Sequence, residues 1–308
     1  MELLMQLGLL VTGVVLLIKG ADVFVDGSAG IAAKCGIPQL VIGLTIVAMG
    51  TSAPEAAVSI SAALKDNADI TIGNIVGSNI LNILMILGIS SVIVPLTVAG
   101  STVKFEIPFM IFVTVLTALL GLDGRIGIAD GITFLGLFAA YLVYLFIMAK
   151  KDKQDEEKRD NMSAARAVIY IILGLAMVVL GSSFTVDAAS AVAKALGLSE
   201  RFIGLTIVAL GTSLPELFTS VSAARKGNAD IAIGNIVGSN IFNILFIIGV
   251  SALMTEVPFA RGFIFDTVIA AAAAVMLLIC TLAGRGRLKR WAGISMLLSY
   301  GVYFAVIF

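Results

Sequence analysis

The amino-acid sequence predicts an all-α membrane protein with ten transmembrane helices in two inverted five-helix repeats, helices 2 and 7 broken. Three observations lead there. The mean hydropathy is +1.09, with 59% hydrophobic and 13% charged residues, whereas a soluble domain carries about 25% charged residues. Two polar blocks recur at a constant offset of 161 residues. Each repeat also holds one long apolar run interrupted by glycine and proline. Helices are expected rather than a barrel, whose signature is short alternating segments.

The ten apolar segments run over 3–26, 37–63, 70–94, 105–121, 126–148, 167–194, 203–224, 231–254, 262–282 and 291–308, lengths that suit tilted or broken spans. The first run, Leu3 to Ile18, follows Glu2 and has no basic stretch before it, so it reads as a span and not a cleaved leader. The one strongly polar connection, Ala149 to Arg166, contains KKDKQDEEKRD and reads as a solvated linker. This divides the chain into a first repeat (1–148), a charged cytoplasmic linker (149–166) and a second repeat (167–308). Basic residues orient the spans. All but five of the 20 lysines and arginines fall in the connections after segments 1, 3, 5, 7 and 9; the exceptions are Lys65, Arg125, Lys194, Arg201 and Arg261. Those odd connections are expected in the cytoplasm, with both termini extracytoplasmic, in the cell inner (plasma) membrane. Only Cys35 and Cys280 are present, without close spacing, and histidine is absent. A disulfide framework, a cysteine metal cluster and imidazole chemistry are thereby excluded.

The repeat is carried by polar identities. IGLTIVAMGTSAPE (Ile42 to Glu55) matches IGLTIVALGTSLPE (Ile203 to Glu216), and GNIVGSNILNIL (Gly73 to Leu84) matches GNIVGSNIFNIL (Gly234 to Leu245). The register extends to Gly13/Gly174, Gly20/Gly181, Asp26/Asp187 and Gly36/Gly197. Such matches mark a duplication. With five spans per copy, the second copy enters the membrane from the opposite side. The copies are then related by an axis in the membrane plane, with the site between them at the midplane.

Pro54 and Pro215 lack an amide hydrogen and crowd the preceding turn, while Gly50 and Gly211 loosen it. These breaks are expected to free carbonyls around Ala48 to Thr51 and Ala209 to Thr212, which hydrocarbon tolerates only where they line a polar cavity or are buried in protein. Thr51, Ser52, Thr212 and Ser213 place hydroxyls beside them, and Glu55 and Glu216 supply negative charge. A midmembrane carboxylate costs several kcal/mol unless paired or solvated. Neither broken segment offers a lysine or arginine.

In the second block, Asn74, Ser78 and Asn82 are four apart and share a helix face, as do Asn235, Ser239 and Asn243. Asn79 and Asn240 fall beside that stripe. Such residues either join helices or serve as ligands. Every donor atom is oxygen, which suits hard cations such as Ca²⁺ and Na⁺ over Zn²⁺ or copper. Two carboxylates neutralise one divalent ion and cannot at once hold it and accept protons or several Na⁺, so competition for one site yields antiport. The remaining acids look structural: Asp69 and Asp230 as N-caps, Glu106, Glu256 and Asp266 at segment ends, and Asp26 and Asp187 as capping or gating groups near the ends of segments 1 and 6.

On these residues the chain resembles the cation/calcium antiporter superfamily, specifically prokaryotic sodium/calcium exchanger-like proteins. GTSAPE with GSNILN, and GTSLPE with GSNIFN, carry the resemblance over nearly the whole length. It implies a diamond-like ion cluster among helices 2, 3, 7 and 8. Glu55 and Glu216 would be central ligands, and Ala48 and Ala209 would contribute carbonyls. Thr51, Ser52, Thr212, Ser213, Ser78 and Ser239 would complete the sites, with Asn82 and Asn243 at the middle. Helices 1 and 6 would slide across this core. In sodium-coupled members one position matching Asn82 or Asn243 is often aspartate; here both are asparagine.

The function expected is therefore secondary Ca²⁺/Na⁺ antiport. An H⁺-coupled exchanger, a passive cation channel and an intramembrane hydrolase are the alternatives; the last lacks acids set to activate water. The implied partners are inorganic cations and membrane lipid. Nothing points to an enzyme, a cofactor, nucleic acid or a protein partner.

Overall fold

In a computed structural model, which describes residues 2–65, 68–151, 162–197 and 209–307, the chain is an all-helical membrane protein. Seven of its helices are long and apolar enough to cross a bilayer, and a bent pair makes an eighth, among the described residues. The long helices are α1 (Glu2–Cys35), α4 (Asp69–Leu81, continued through Asn82–Leu87 to Gly88–Ile93), α5 (Thr102–Asp123), α6 (Ile128–Lys151), α7 (Ala164–Ala195), α10 (Ala229–Met254) and α11 (Arg261–Ala283). The bent pair is α2 (Gln39–Thr51) with α3 (Ala53–Leu64), set at 50°. Its counterpart in the second half is α8 (Ala209–Thr212) with α9 (Leu214–Arg225), and α12 (Arg290–Ile307) closes the chain. Residues 203–208 of the second repeated block and 152–161 of the charged linker lie outside the described residues.

Helices α4 and α10 form the centre. Buried residues make up 78% and 83% of their most apolar stretches, against 22–39% for the other long helices. Both carry apolar residues around a single buried polar stripe, as a helix surrounded by protein can. The outer helices keep large apolar side chains such as Leu119, Phe146, Ile172, Ile279 and Leu298 exposed, a surface that suits lipid and not water. Two short antiparallel ladders tie the halves outside the helices: β1 (Leu96–Thr97) pairs with β4 (Arg287–Leu288), and β2 (Arg125–Ile126) with β3 (Val257–Pro258). The exposed Arg125 and Glu256 join as an ion pair across the second.

Helix α1 runs antiparallel to α7 at backbone contact. A Cβ added to Gly13 would lie 2.9 Å from the Gly181 carbonyl oxygen, one on Gly20 3.0 Å from that of Gly174, and one on Gly27 2.8 Å from that of Ala167. Seven-residue spacing keeps these glycines on one stripe, and small residues let membrane helices approach closely. The apolar run of α1 ends near Asp26, yet the helix continues to Cys35 and stops where Gly36 takes φ +62; α7 likewise stops before Gly197 at φ +83. A left-handed glycine is the usual helix stop. Asp26 and Asp187 consequently sit inside helices and not at their ends.

Two further acids correct the expectation that they mark segment ends. Glu106 is buried within α5 and accepts from the Tyr144 hydroxyl; Asp266 lies one turn into α11 and accepts from Tyr303 at 3.1 Å. A following helix supplies the donor in each case, a tertiary contact that local sequence does not reveal. Asp230 falls in the first turn of α10, after the N-cap Asn228, and so does not cap it. Asp69 is the first residue of α4, whose N-cap is Ala68.

The glycine contact gives a stability prediction. A Cβ at Gly174 would stand 2.4 Å from the Phe24 amide nitrogen, so Gly174→Leu should cost about 1–3 kcal/mol through overpacking and lower the thermal melting point in detergent. Gly136→Ala, with nothing within 4 Å of the new atom, should leave the melting curve unchanged.

Candidate cation-binding site

The bend in the first broken span falls at Ser52, whose φ and ψ of −81° and 8° leave the helical range; Ser213 takes −90° and 6° in the second. Proline follows two residues later in each case and opens the next helix within its first two positions, where a missing N–H is tolerated. The bends place Glu55 and Glu216 in the first turns of α3 and α9, ends whose unpaired amides favour negative charge. Each glutamate is 1% exposed.

The two breaks interlock. Ser52 Oγ donates to Glu216 Oε1 at 2.9 Å, and Ser213 Oγ donates to Glu55 Oε1 at 3.3 Å. The Thr212 hydroxyl also bears on Glu55, and that of Thr51 on Glu216. Among the described residues neither carboxylate is ion-paired, and no cluster of three or more acids, thiols or imidazoles forms. The site therefore combines two acids with neutral oxygens.

Helices α4 and α10 cross through their asparagines. Asn79 Nδ2 donates to the Asn240 carbonyl and Asn240 Nδ2 to that of Asn79, both at 3.2 Å. Asn82 Nδ2 donates to Asn240 Oδ1 at 2.9 Å, and Asn243 Nδ2 to Asn79 Oδ1 at 3.0 Å. Both amide groups of Asn82 and Asn243 are thereby oriented, with nitrogen spent on the crossing and oxygen left over. A π-helical turn begins at each of these residues, Asn82–Leu87 and Asn243–Ile248; such widened turns mark functional sites often.

Among the buried side-chain oxygens without a hydrogen-bond partner, two belong to these glutamates and two to these asparagines: Glu55 Oε2, Glu216 Oε2, Asn82 Oδ1 and Asn243 Oδ1. Buried oxygens are normally hydrogen-bonded, and each exception needs a reason. Two carboxylate and two amide oxygens, all acceptors, suit a hard cation.

The structure brings Ser52 and Thr51 to Glu216 and Ser213 to Glu55, and it packs the turn that opens at Asn82 against α9 and the turn that opens at Asn243 against α3. Ser239 Oγ reaches the Ala48 carbonyl at 3.3 Å. That carbonyl also accepts from the Ser52 amide at 3.0 Å and Thr51 Oγ1 at 3.3 Å. It is thus engaged and not free as expected, because the span bends at Ser52 without unwinding before it. Ser78 is buried at the place matched to Ser239, and Thr212 lies beside Glu55. The side chain of Ala209 lies outside the described residues.

The asparagine stripe divides by role. Asn74 Nδ2 donates to Ser59 Oγ at 2.9 Å and to the Glu55 carbonyl at 3.3 Å; Asn235 does the same toward Ser220 and Glu216 at 2.9 and 3.5 Å. They brace the glutamate-bearing helices. Ser59 and Ser220 escaped the sequence reading, although they too match at an offset of 161. Asn79 and Asn240, which seemed peripheral to the stripe, hold the crossing together.

The family described as "Sodium/calcium exchanger protein" matches the chain over residues 5–147 and again over 166–308. The "Putative antiporter CaxA" of Alkalimonas amylolytica is 38% identical, covering 96% of each chain. "Sodium/calcium exchanger MaX1" of Methanosarcina acetivorans is 32% identical, covering 97% of each. A solved structure of the sodium-calcium exchanger NCX_Mj superposes with a TM-score of 0.88 at 33% identity, covering 99% of this chain and 100% of the other. With matching halves, full-length relatives and a shared fold, the chain belongs to the sodium/calcium exchanger protein family.

Proposed function

We propose that the protein is a secondary antiporter that exchanges Ca²⁺ for Na⁺ by alternating access at a midmembrane site centred on Glu55 and Glu216. The observation that carries this is the set of four buried acceptors, two carboxylate and two amide, that no donor satisfies. Ca²⁺ is the cargo and binds between the glutamates. The ligand set consists of Glu55, Glu216, Thr51, Thr212, Ser52, Ser213, Ser78, Ser239, Asn82, Asn243 and the carbonyl of Ala209, with the Ala48 carbonyl joining only where an ion displaces the Thr51 or Ser239 hydroxyl from it. An empty site leaves two charges buried, which is costly; either Ca²⁺ or its competitor must occupy it before the carrier reorients. That requirement ties the two fluxes together.

The architecture in this reading is ten spans in two inverted repeats, 1–148 and 167–308, joined by a cytoplasmic linker (149–166), in the inner (plasma) membrane with extracytoplasmic termini. Reciprocal contacts support the inversion. Ser52–Glu216 answers Ser213–Glu55, Asn79–Asn240 is mutual, and the antiparallel α1–α7 packing sets Gly13 against Gly181 and Gly20 against Gly174. The names of MaX1 and NCX_Mj give Na⁺ and Ca²⁺ for those proteins, which favours the same pair here.

One observation favours a second reading, in which H⁺ drives exchange. The site holds only two acids, since positions 82 and 243 are both asparagine. Two protons or two Na⁺ balance that charge equally well, and any further Na⁺ would be uncompensated.

Purified protein in vesicles loaded with Na⁺ should accumulate radiolabelled Ca²⁺ when the outside is Na⁺-free, and a pH gradient alone should not drive uptake. Uptake with the pH gradient alone would establish the second reading. Glu55→Gln and Glu216→Gln should each reduce uptake to the level of empty vesicles; full uptake by both variants would overturn the site. Asn82→Asp adds a third acid and should raise the Na⁺-driven flux relative to any pH-driven flux, measured side by side in the same preparations.

A further inference from the structure

The polar end of α1 is tied to the end of α9, some 200 residues away. Lys226 Nζ donates to Asp26 Oδ1 at 2.6 Å and to the Asp22 carbonyl at 2.7 Å, and lies 3.9 Å from Asp22 Oδ1. Ser222 Oγ donates to Asp22 Oδ1 at 2.6 Å. The repeat places Lys65 opposite Lys226, Asp187 opposite Asp26, Ser61 opposite Ser222 and Ser183 opposite Asp22. Lys65 and Asp187 are both exposed and no ion pair joins them.

The cavities beside these two groups differ in the same sense. Between α3 and α7, on the side of Asp187, a cavity of about 560 Å³ is lined by Pro54 and Thr212 of the repeated motif. Between α1 and α9, a cavity of about 440 Å³ is lined by Ile18, Asp22, Phe218, Ser222 and Lys226, and by no residue of the motif. Phe218 stands there where the repeat has Ala57. One side thus combines a formed ion pair with a cavity that stops short of the site. The other combines an unformed pair with a cavity that reaches it.

We infer that Lys226 with Asp22 and Asp26 forms a latch that holds the α1–α9 side shut, and that Lys65 and Asp187 form the mirrored latch when the α3–α7 side closes. The inference rests on the alternating-access reading above. Each latch joins a long outer helix to the half of a broken span that carries a site glutamate, Glu216 on α9 and Glu55 on α3. Movement of α1 with α7 past the core breaks one pair and makes the other. Only one latch can be closed while ions exchange with one side, so the two pairs are mutually exclusive.

The test uses full-length protein with Cys35→Ser and Cys280→Ala, reconstituted in vesicles and treated with a short bis-methanethiosulfonate linker. Two variants carry the reporter thiols: Asp26→Cys with Lys226→Cys, and Lys65→Cys with Asp187→Cys. Linking is read by mass spectrometry, and Ca²⁺ flux is measured before linking, after it, and after reduction. Both variants should link, each link should stop the flux, and reduction should restore it. Adding Lys226→Gln to the Lys65/Asp187 variant should raise its link yield by releasing the opposite latch. Thiols at 65 and 187 that stay unlinked in protein that exchanges Ca²⁺ would overturn the inference, as would a link yield indifferent to Lys226→Gln. Linking is scored on thiols alone, so absent flux in the unsubstituted protein would count against the antiport reading and leave the latch result readable.

Discussion

Two carboxylates are buried face to face in an apolar membrane protein, and no basic side chain among the described residues answers them. Water would stabilise such charges and hydrocarbon would not. The surrounding structure serves to make this arrangement tolerable and useful. Ser52 and Ser213 donate to one oxygen of each glutamate across the repeat boundary. The helix breaks turn α3 and α9 so that their amino ends face the acids. Each glutamate keeps its other carboxylate oxygen without a donor, free for a cation to occupy. Full satisfaction by protein donors would leave nothing for an ion to gain, and no satisfaction would leave the fold unstable without one.

The central helices apply the same economy to their asparagines. Asn79 and Asn240 use nitrogen and carbonyl to clasp α4 to α10, and their side-chain oxygens receive Asn82 and Asn243. One set of hydrogen bonds thus fixes the helix crossing and leaves two amide oxygens without a donor. Asn74 and Asn235 then fasten the glutamate-bearing helices to the same pair. Bracing residues and residues with a donorless oxygen thus alternate along one stripe.

Much of this was legible in the sequence, for identifiable reasons. Membrane residence follows from composition, and the broken spans follow from proline and glycine at fixed places. Glu55 and Glu216 stand out because charge is rare in apolar runs, and the duplication flags each residue twice. Three features were not legible. The extension of α1 to Cys35 was hidden by Lys19, Asp22 and Asp26, which look like a helix end by polarity, although the two aspartates face Lys226 in space. Glu106 and Asp266 find tyrosines one helix later, a contact between segments that no local pattern announces. The brace made by Ser59 and Ser220 lay in plain view at matched positions, but serine in a membrane helix commonly bonds its own backbone, which gives it no distinguishing signal.

The bond from Ser222 to Asp22 has a consequence for the energetics of turnover. The duplication preserved the site but placed Ser183 where the first repeat has Asp22. A carrier with identical halves would spend equal time facing each way. Here the end of α9 meets two aspartates, while the matched end of α3 has one to meet, and under the proposed latch the resting population would be biased toward the conformation described. Ions arriving on the favoured side find a binding-competent carrier at once; those on the other side must first draw the minor form out of equilibrium, and their half-saturating concentration rises by the inverse of its fraction. Cycling remains reversible, because both directions share one thermodynamic driving force. Its kinetics would become lopsided, and under the proposed latch the lopsidedness would trace to a single unmatched carboxylate, Asp22.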